Sequence, residues 1–192
     1  MRHFIWFEGL PGVGKSSIIY KLTEIFGKRA VIIPSVDLKT LFSKPPGFSP
    51  FKFGKPSSTA QAHLEIARRQ ILSELDTLPE YVFVERSWIS IEMYQLVAHR
   101  LYGESLLDDR LFSQWQSIKL DGKETTLVLE TDPMISMKRD QEVVTTYWSD
   151  RYFVKEVHYE YLQLLERNKS IHHIDARATP EKVFDLCLRC IS

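Results

Sequence analysis

HFIWFEGLPGVGKSSI, residues 3–18, is the stretch on which the fold turns. His3 to Phe7 reads as a short buried strand. Gly9 to Ser16 then matches G-x-x-x-x-G-K-[ST] in full, and the chain continues from Ser16 to Phe26 with Ile18, Ile19, Leu22, Ile25 and Phe26 on one helical face. A strand, a glycine-rich turn and a helix in that order form a cradle for phosphate. Glycines let successive backbone N–H groups turn inward around phosphate oxygens, and the helix N-terminus adds positive potential. The implied ligand is a nucleoside triphosphate, held by Gly9, Leu10, Pro11, Gly12, Val13, Gly14, Lys15, Ser16 and Ser17. Lys15 reaches the β- and γ-phosphates, and the Ser16 hydroxyl is a ligand for Mg²⁺.

Outward from that stretch, short apolar runs alternate with longer segments of helical period, as in an α/β protein with a parallel sheet. Strands are expected at Ala30–Ile33, Tyr81–Val84, Thr126–Leu129 and Ile171–Ile174, which with the first makes a five-stranded parallel sheet in a three-layer α/β/α domain. Helices are expected at Leu38–Phe42, Thr59–Leu75, Trp88–Leu101, Leu106–Leu120 and Asp150–Glu166. Two more open on TDP (Thr131 to Pro133) and on Thr179, Pro180 and Glu181, by the logic of a capping side chain followed by proline. Residues 43–58 hold four prolines and two glycines and read as a long loop on the acceptor side. The polar stretch 138–149 reads as a lid. The whole chain, 1–192, is expected to be a single domain.

Bulk composition narrows the function. The 192 residues carry 25 basic and 25 acidic side chains, so no overall field draws the chain to nucleic acid or to an anionic membrane. An anionic ligand must be held by local groups, which points to a small molecule. No signal-like segment precedes the first strand and no apolar run reaches a membrane-spanning length, so a cytoplasmic protein is expected. Cys187 and Cys190 sit among Val183, Phe184, Leu186 and Ile191 and read as core residues rather than a metal or redox site with His172 and His173.

FVERSWIS, Phe83 to Ser90, is the second informative stretch. An apolar run ends on Glu85 and Arg86 side by side, and in open α/β sheets ligands bind beyond the carboxyl ends of the strands. Glu85 is therefore placed to hold Mg²⁺ opposite Ser16. Arg86 is placed to stabilise a transferring phosphoryl group or to orient its acceptor.

GLPGVGKS together with ERSWIS resembles the deoxynucleoside kinase and thymidylate kinase group of P-loop kinases. LVLETDP, the Asp150–Glu166 helix and IHHIDARATPEKV are also similar to that group in element order. The resemblance implies the P-loop NTPase fold and ATP- and Mg²⁺-dependent transfer to a nucleoside, with a deoxynucleoside as acceptor. The alternative is a thymidylate, or nucleoside monophosphate, kinase. A small non-nucleoside kinase and a nucleotide-binding switch rank below these, and no N-K-x-D stretch is present to support the switch.

The same resemblance gives Gln61 the task of reading the acceptor base and puts Lys138, Arg139 and Arg151 around the lid, with Arg139 meeting the phosphates on closure. Asp175 to Thr179 would cradle the adenine. A monophosphate acceptor would need a further cation, for which Arg68, Arg69 and Lys39 are available. The group's Glu-Pro pair after the second strand is missing: the chain has IIPSVD, with Pro34 where the general base is expected. Asp37 is the nearest substitute. A homodimer through Trp88–Leu101 and Leu106–Leu120 is possible for the group, and packing of those segments within one subunit is the alternative.

Overall fold

The computed structural model describes residues 1–35, 56–139 and 150–191. Its five strands are β1 (His3–Glu8), β2 (Ala30–Ile33), β3 (Tyr81–Glu85), β4 (Lys123–Glu130) and β5 (His172–Asp175). All neighbours are parallel, in the order β2-β3-β1-β4-β5, so the first strand sits in the middle of the sheet. The helices are α1 (Lys15–Phe26), α2 (Pro56–Glu74), α3 (Trp88–Tyr102), α4 (Asp109–Ser117), α5 (Pro133–Arg139), α6 (Arg151–Arg167) and α7 (Pro180–Ile191).

A strand with helices on both faces must bury both sets of alternating side chains, and β1 does. Ile5 and Phe7 point into a core shared with Ile18, Ile19 and Leu22 of α1 and Val183, Phe184 and Cys187 of α7. Phe4 and Trp6 point the other way, with Val82 and Val84, toward Leu72 of α2. Further along that second face, Val128 packs with Met93 and Val97 of α3 and Phe153, Val157 and Tyr161 of α6. This is the expected three-layer α/β/α arrangement. Cys187 is fully buried, and burial pushes its thiol up to about 12, which keeps it in the unreactive thiol form.

Several boundaries move. The loop expected over 43–58 gives way to helix at Pro56. The lid expected over 138–149 loses Lys138 and Arg139, which form the last turn of α5, where cations complement the helix dipole. α4 is shorter than 106–120: it begins after Asp108, whose carboxylate accepts the Arg110 N–H at 2.9 Å, and ends at Ser117. β4 begins three residues before Thr126, because Lys123, Glu124 and Thr125 pair with His3, Phe4 and Ile5 despite their polarity. The short helix at 38–42 and the rest of both loop segments lie outside the described residues.

α3 packs against α6 and α2, and α4 against α2. Trp88 of α3 meets the Phe112 and Trp115 rings of α4 in tilted contacts at 5.6 and 6.1 Å between centroids, so these two segments touch within the chain. No helix among the described residues is long and apolar enough to cross a membrane.

Candidate phosphate-binding and acceptor site

The loop between β1 and α1 owes its shape to glycine. Gly9, Gly12 and Gly14 have φ of 124°, 71° and 100°, the left-handed region that residues with a side chain rarely enter. Gly9 is constrained twice, because a Cβ there would lie 2.3 Å from the Leu129 carbonyl oxygen on β4. Gly9→Ala is expected to cost at least ~2 kcal/mol of stability from the backbone conformation and the clash together. A urea titration checks this, and unchanged stability would mean that β4 yields to the methyl group.

Lys15 opens α1 and is 4% exposed. Its Nζ donates to the carbonyls of Gly9 at 3.1 Å and Leu10 at 2.8 Å, so the cation lies inside the curve of the loop. The next residue, Ser16, donates from Oγ to Glu85 Oε1 at 3.0 Å. The sheet order makes this contact possible: β3 lies directly beside β1, with Phe7 in register with Glu85. Across the loop, Ser136 of α5 donates to the Pro11 carbonyl. Arg139, three residues further along α5, shares that side of the helix and is exposed.

Arg86 follows β3 with φ of 62°, the one non-glycine residue among those described with positive φ. Its amide donates to the Phe7 carbonyl at 2.9 Å. Its Nη1 donates to the Gly9 carbonyl at 3.3 Å, to Ser90 Oγ at 3.2 Å and to the Tyr94 hydroxyl. Burial opposes a charge there, but Tyr94, Tyr161, Glu8 and Glu85 outweigh it and keep the guanidinium protonated, with its pKa raised. The phenols of Tyr94 and Tyr161 are themselves pushed up by burial and stay neutral. Gly9 thus accepts from both Lys15 and Arg86.

Sequence reading passed over Glu8, which is completely buried at the end of β1. Ser87 Oγ and Ser90 Oγ each donate to its carboxylate at 2.5 Å, and the Tyr161 hydroxyl donates at 3.2 Å. Ser87 also caps α3, accepting from the Ile89 amide at 3.2 Å. The two serines of ERSWIS are therefore spaced to grip one carboxylate at the start of a helix. The available signal was a carboxylate closing an apolar run immediately before a glycine loop.

On α2, Gln61, Glu65 and Arg68 follow one another at helical spacing along one face. Gln61 is half-buried in the second turn. Arg68, a candidate substrate-binding residue from sequence, is 8% exposed and turned to the protein. Its Nη1 donates to the carbonyls of Pro34 and Glu85, both at 3.0 Å, and its Nη2 to the Arg86 carbonyl at 2.5 Å. Nη2 also pairs with Glu65 at 2.5 Å. Arg69 is engaged too, pairing with Glu124 at 2.8 Å between the Trp6 and Trp115 rings. Asp37 lies outside the described residues.

The far edge of the site, at the ends of β4 and β5, is also charged. Glu130 accepts from His158 Nε2 at 2.8 Å, with Arg177 Nη2 at 3.9 Å. Hydrogen bonds from Arg177 pull the Asp175 carboxyl down to about 2. Arg151, exposed at the start of α6, stands behind the Asp150 cap.

No family model matches the sequence, and no curated protein sequence matches it. Solved structures do. The deoxyadenosine kinase of M. mycoides with bound dATP superposes with a TM-score of 0.70 at 14% identity, over 97% of both chains. The same enzyme with products dCMP and a flexible dCDP gives 0.66 at 15% identity, again over 97% of both. The thymidylate kinase of Candida albicans gives 0.65 at 20% identity, over 98% of this chain and 90% of that one. At these identities the likeness shows a shared fold, that of the P-loop nucleoside and nucleotide kinases, along the whole chain.

Proposed function

We propose that this chain is a kinase that transfers the γ-phosphoryl group of ATP to a hydroxyl of a nucleoside, with a deoxynucleoside as the acceptor class. The observation that carries the reading is the meeting of Ser16 and Glu85 at 3.0 Å, beside Lys15 and Arg86, at the mouth of the glycine loop. A hydroxyl and a carboxylate at that point fit Mg²⁺, which takes one or two protein oxygens and fills its remaining positions with water and phosphate oxygens. Bound there with the nucleotide, the ion would neutralise charge on the phosphates.

The loop amides and Lys15 hold the triphosphate. Lys15 and Arg86, which rest on the Gly9 carbonyl, re-aim toward the γ-phosphate, and Arg139 joins them from α5. The acceptor oxygen forms a bond to γ-phosphorus as the bond to the β–γ bridging oxygen breaks, and ADP leaves. The acceptor proton passes to a carboxylate, Glu85 or Asp37. Little covalent work is asked of the protein, which supplies position and charge.

A nucleoside monophosphate acceptor, as in a thymidylate kinase, is the alternative. It needs a cation for the acceptor phosphate, and Arg68 and Arg69 are committed to carbonyls and carboxylates of the chain itself. That commitment supports the nucleoside reading.

The test is ADP release from Mg·ATP across deoxynucleosides, ribonucleosides and their monophosphates. Turnover with a nucleoside is expected. Turnover with monophosphates alone would promote the alternative, and silence across the panel would sink both. Glu85→Gln is expected to raise the Mg²⁺ concentration needed for half-maximal rate by about tenfold or more and to slow transfer, with melting unchanged. Full activity at low Mg²⁺ would reduce Glu85 to a strand-end residue.

A further inference from the structure

The pairing of β2 with β3 stops at Ile33 and Val84. The next carbonyls on the two strands, Pro34 and Glu85, are bridged by a single side-chain nitrogen, Arg68 Nη1, at 3.0 Å each. Nη2 of the same guanidinium takes the following carbonyl, that of Arg86. All four terminal N–H groups of Arg68 are thereby occupied, three on carbonyls and the fourth on Glu65. Its Nε is buried and, among the described residues, meets no acceptor. The head of this arginine faces the strand ends, and the backbone it grips belongs to Glu85 and to Arg86, the residue held at φ 62°.

We infer that Arg68, aimed by Glu65, is a positioning residue: it clamps the backbone of Glu85 and Arg86 from the acceptor side, so that their side chains face the phosphate loop, and it does not read the acceptor. The inference rests on the kinase reading for its catalytic consequence. A left-handed backbone at a non-glycine residue costs about 1–2 kcal/mol and persists only when its surroundings hold it. Three hydrogen bonds from one planar, charged fork add to the Arg86 amide bond to Phe7 at the point where the pairing of β2 with β3 has ended. Glu65 fixes the fork in turn. Its Oε2 takes the Arg68 charge at 2.5 Å, and its Oε1 accepts from the neutral Trp115 Nε1 of α4 at 3.4 Å.

Glu65 also gives the clamp a pH dependence. Burial pushes its carboxyl up to about 7, Glu8 of β1 adds to that, and Arg68 pulls the other way. Acidification through that range protonates Glu65 and removes the charge that aims Arg68.

The experiment is Arg68→Lys, with Glu65→Gln as its companion. Lysine keeps the charge and the pair with Glu65, but its single nitrogen cannot span three carbonyls. Against the nucleoside accepted by the wild-type enzyme, Arg68→Lys is expected to lower kcat about tenfold or more while leaving KM for that nucleoside within about twofold, as misplacement of catalytic groups does. Amide hydrogen exchange over residues 84–90 should quicken. Glu65→Gln should flatten the acid limb of the kcat profile near pH 7. A large rise in KM with kcat kept would overturn the inference in favour of acceptor binding, and so would unchanged exchange. Were the wild type to phosphorylate no acceptor, the kinase reading would fail while the exchange measurement still decided the clamp.

Discussion

Lys15→Ala is expected to abolish measurable phosphoryl transfer, with a fall of about a thousandfold or more in kcat. The ammonium group is the one cation built into the glycine loop itself, and it already lies within the curve that the loop makes. When a triphosphate enters, the two carbonyls it now serves are exchanged for phosphate oxygens, a stronger, charge-assisted pairing. On the proposed reading, alanine leaves the phosphates to the loop amides, Arg86 and Arg139. The loss of two neutral-acceptor hydrogen bonds also costs about 1–2 kcal/mol of stability, so melting should fall modestly while activity vanishes. Steady-state turnover beside a thermal melt separates the two effects. Near-normal turnover in the variant would remove the phosphate-loop assignment.

Glu8→Ala is expected to be the most destabilising single change in the site, by about 3–5 kcal/mol. Alanine deletes the acceptor for three buried hydroxyls, on Ser87, Ser90 and Tyr161, and removes one of the two carboxylates that offset the Arg86 charge. Each orphaned hydroxyl costs about 1–3 kcal/mol unless water reaches it. Denaturant unfolding measures the loss. A change below about 1 kcal/mol would show that water enters and replaces the carboxylate. Glu8→Gln should cost less, because the amide oxygen still accepts from two of the three donors.

What could be seen in the sequence was whatever depends on neighbours along the chain. The glycine loop, β1 and α1 announce themselves by local spacing, and β2 and β3 by unbroken apolar runs, whereas β5 has one buried residue, Ile174, among polar ones. The end of β3 was legible because Glu85 and Arg86 close an apolar run there. Glu8 was not legible, since a carboxylate at a strand end reads alike whether it meets water or three hydroxyls from distant segments. Arg68 and Arg69 were harder still: adjacent arginines on a helix suggest a solvated face or a phosphate reader, yet one grips strand ends and the other sits between two tryptophans. The start of β4 was missed because Lys123 and Glu124 are polar and exposed at the rim of the sheet, where pairing, not burial, defines the strand.

The central position of β1 has a consequence for how the molecule is assembled. Both neighbours of this strand lie far along the chain, so His3 must wait for Tyr81 on one side and Lys123 on the other. Such pairings incur their loop-closure entropy before any contact repays it. Gly9 rests against Leu129, and Ser16 against Glu85, so neither contact exists while only the N-terminal part of the chain has formed. The segment that carries the glycine loop thus precedes along the chain every strand it must pair with, and is among the last to acquire its working shape. A fragment that stops short of β4 keeps the motif and lacks the wall it leans on.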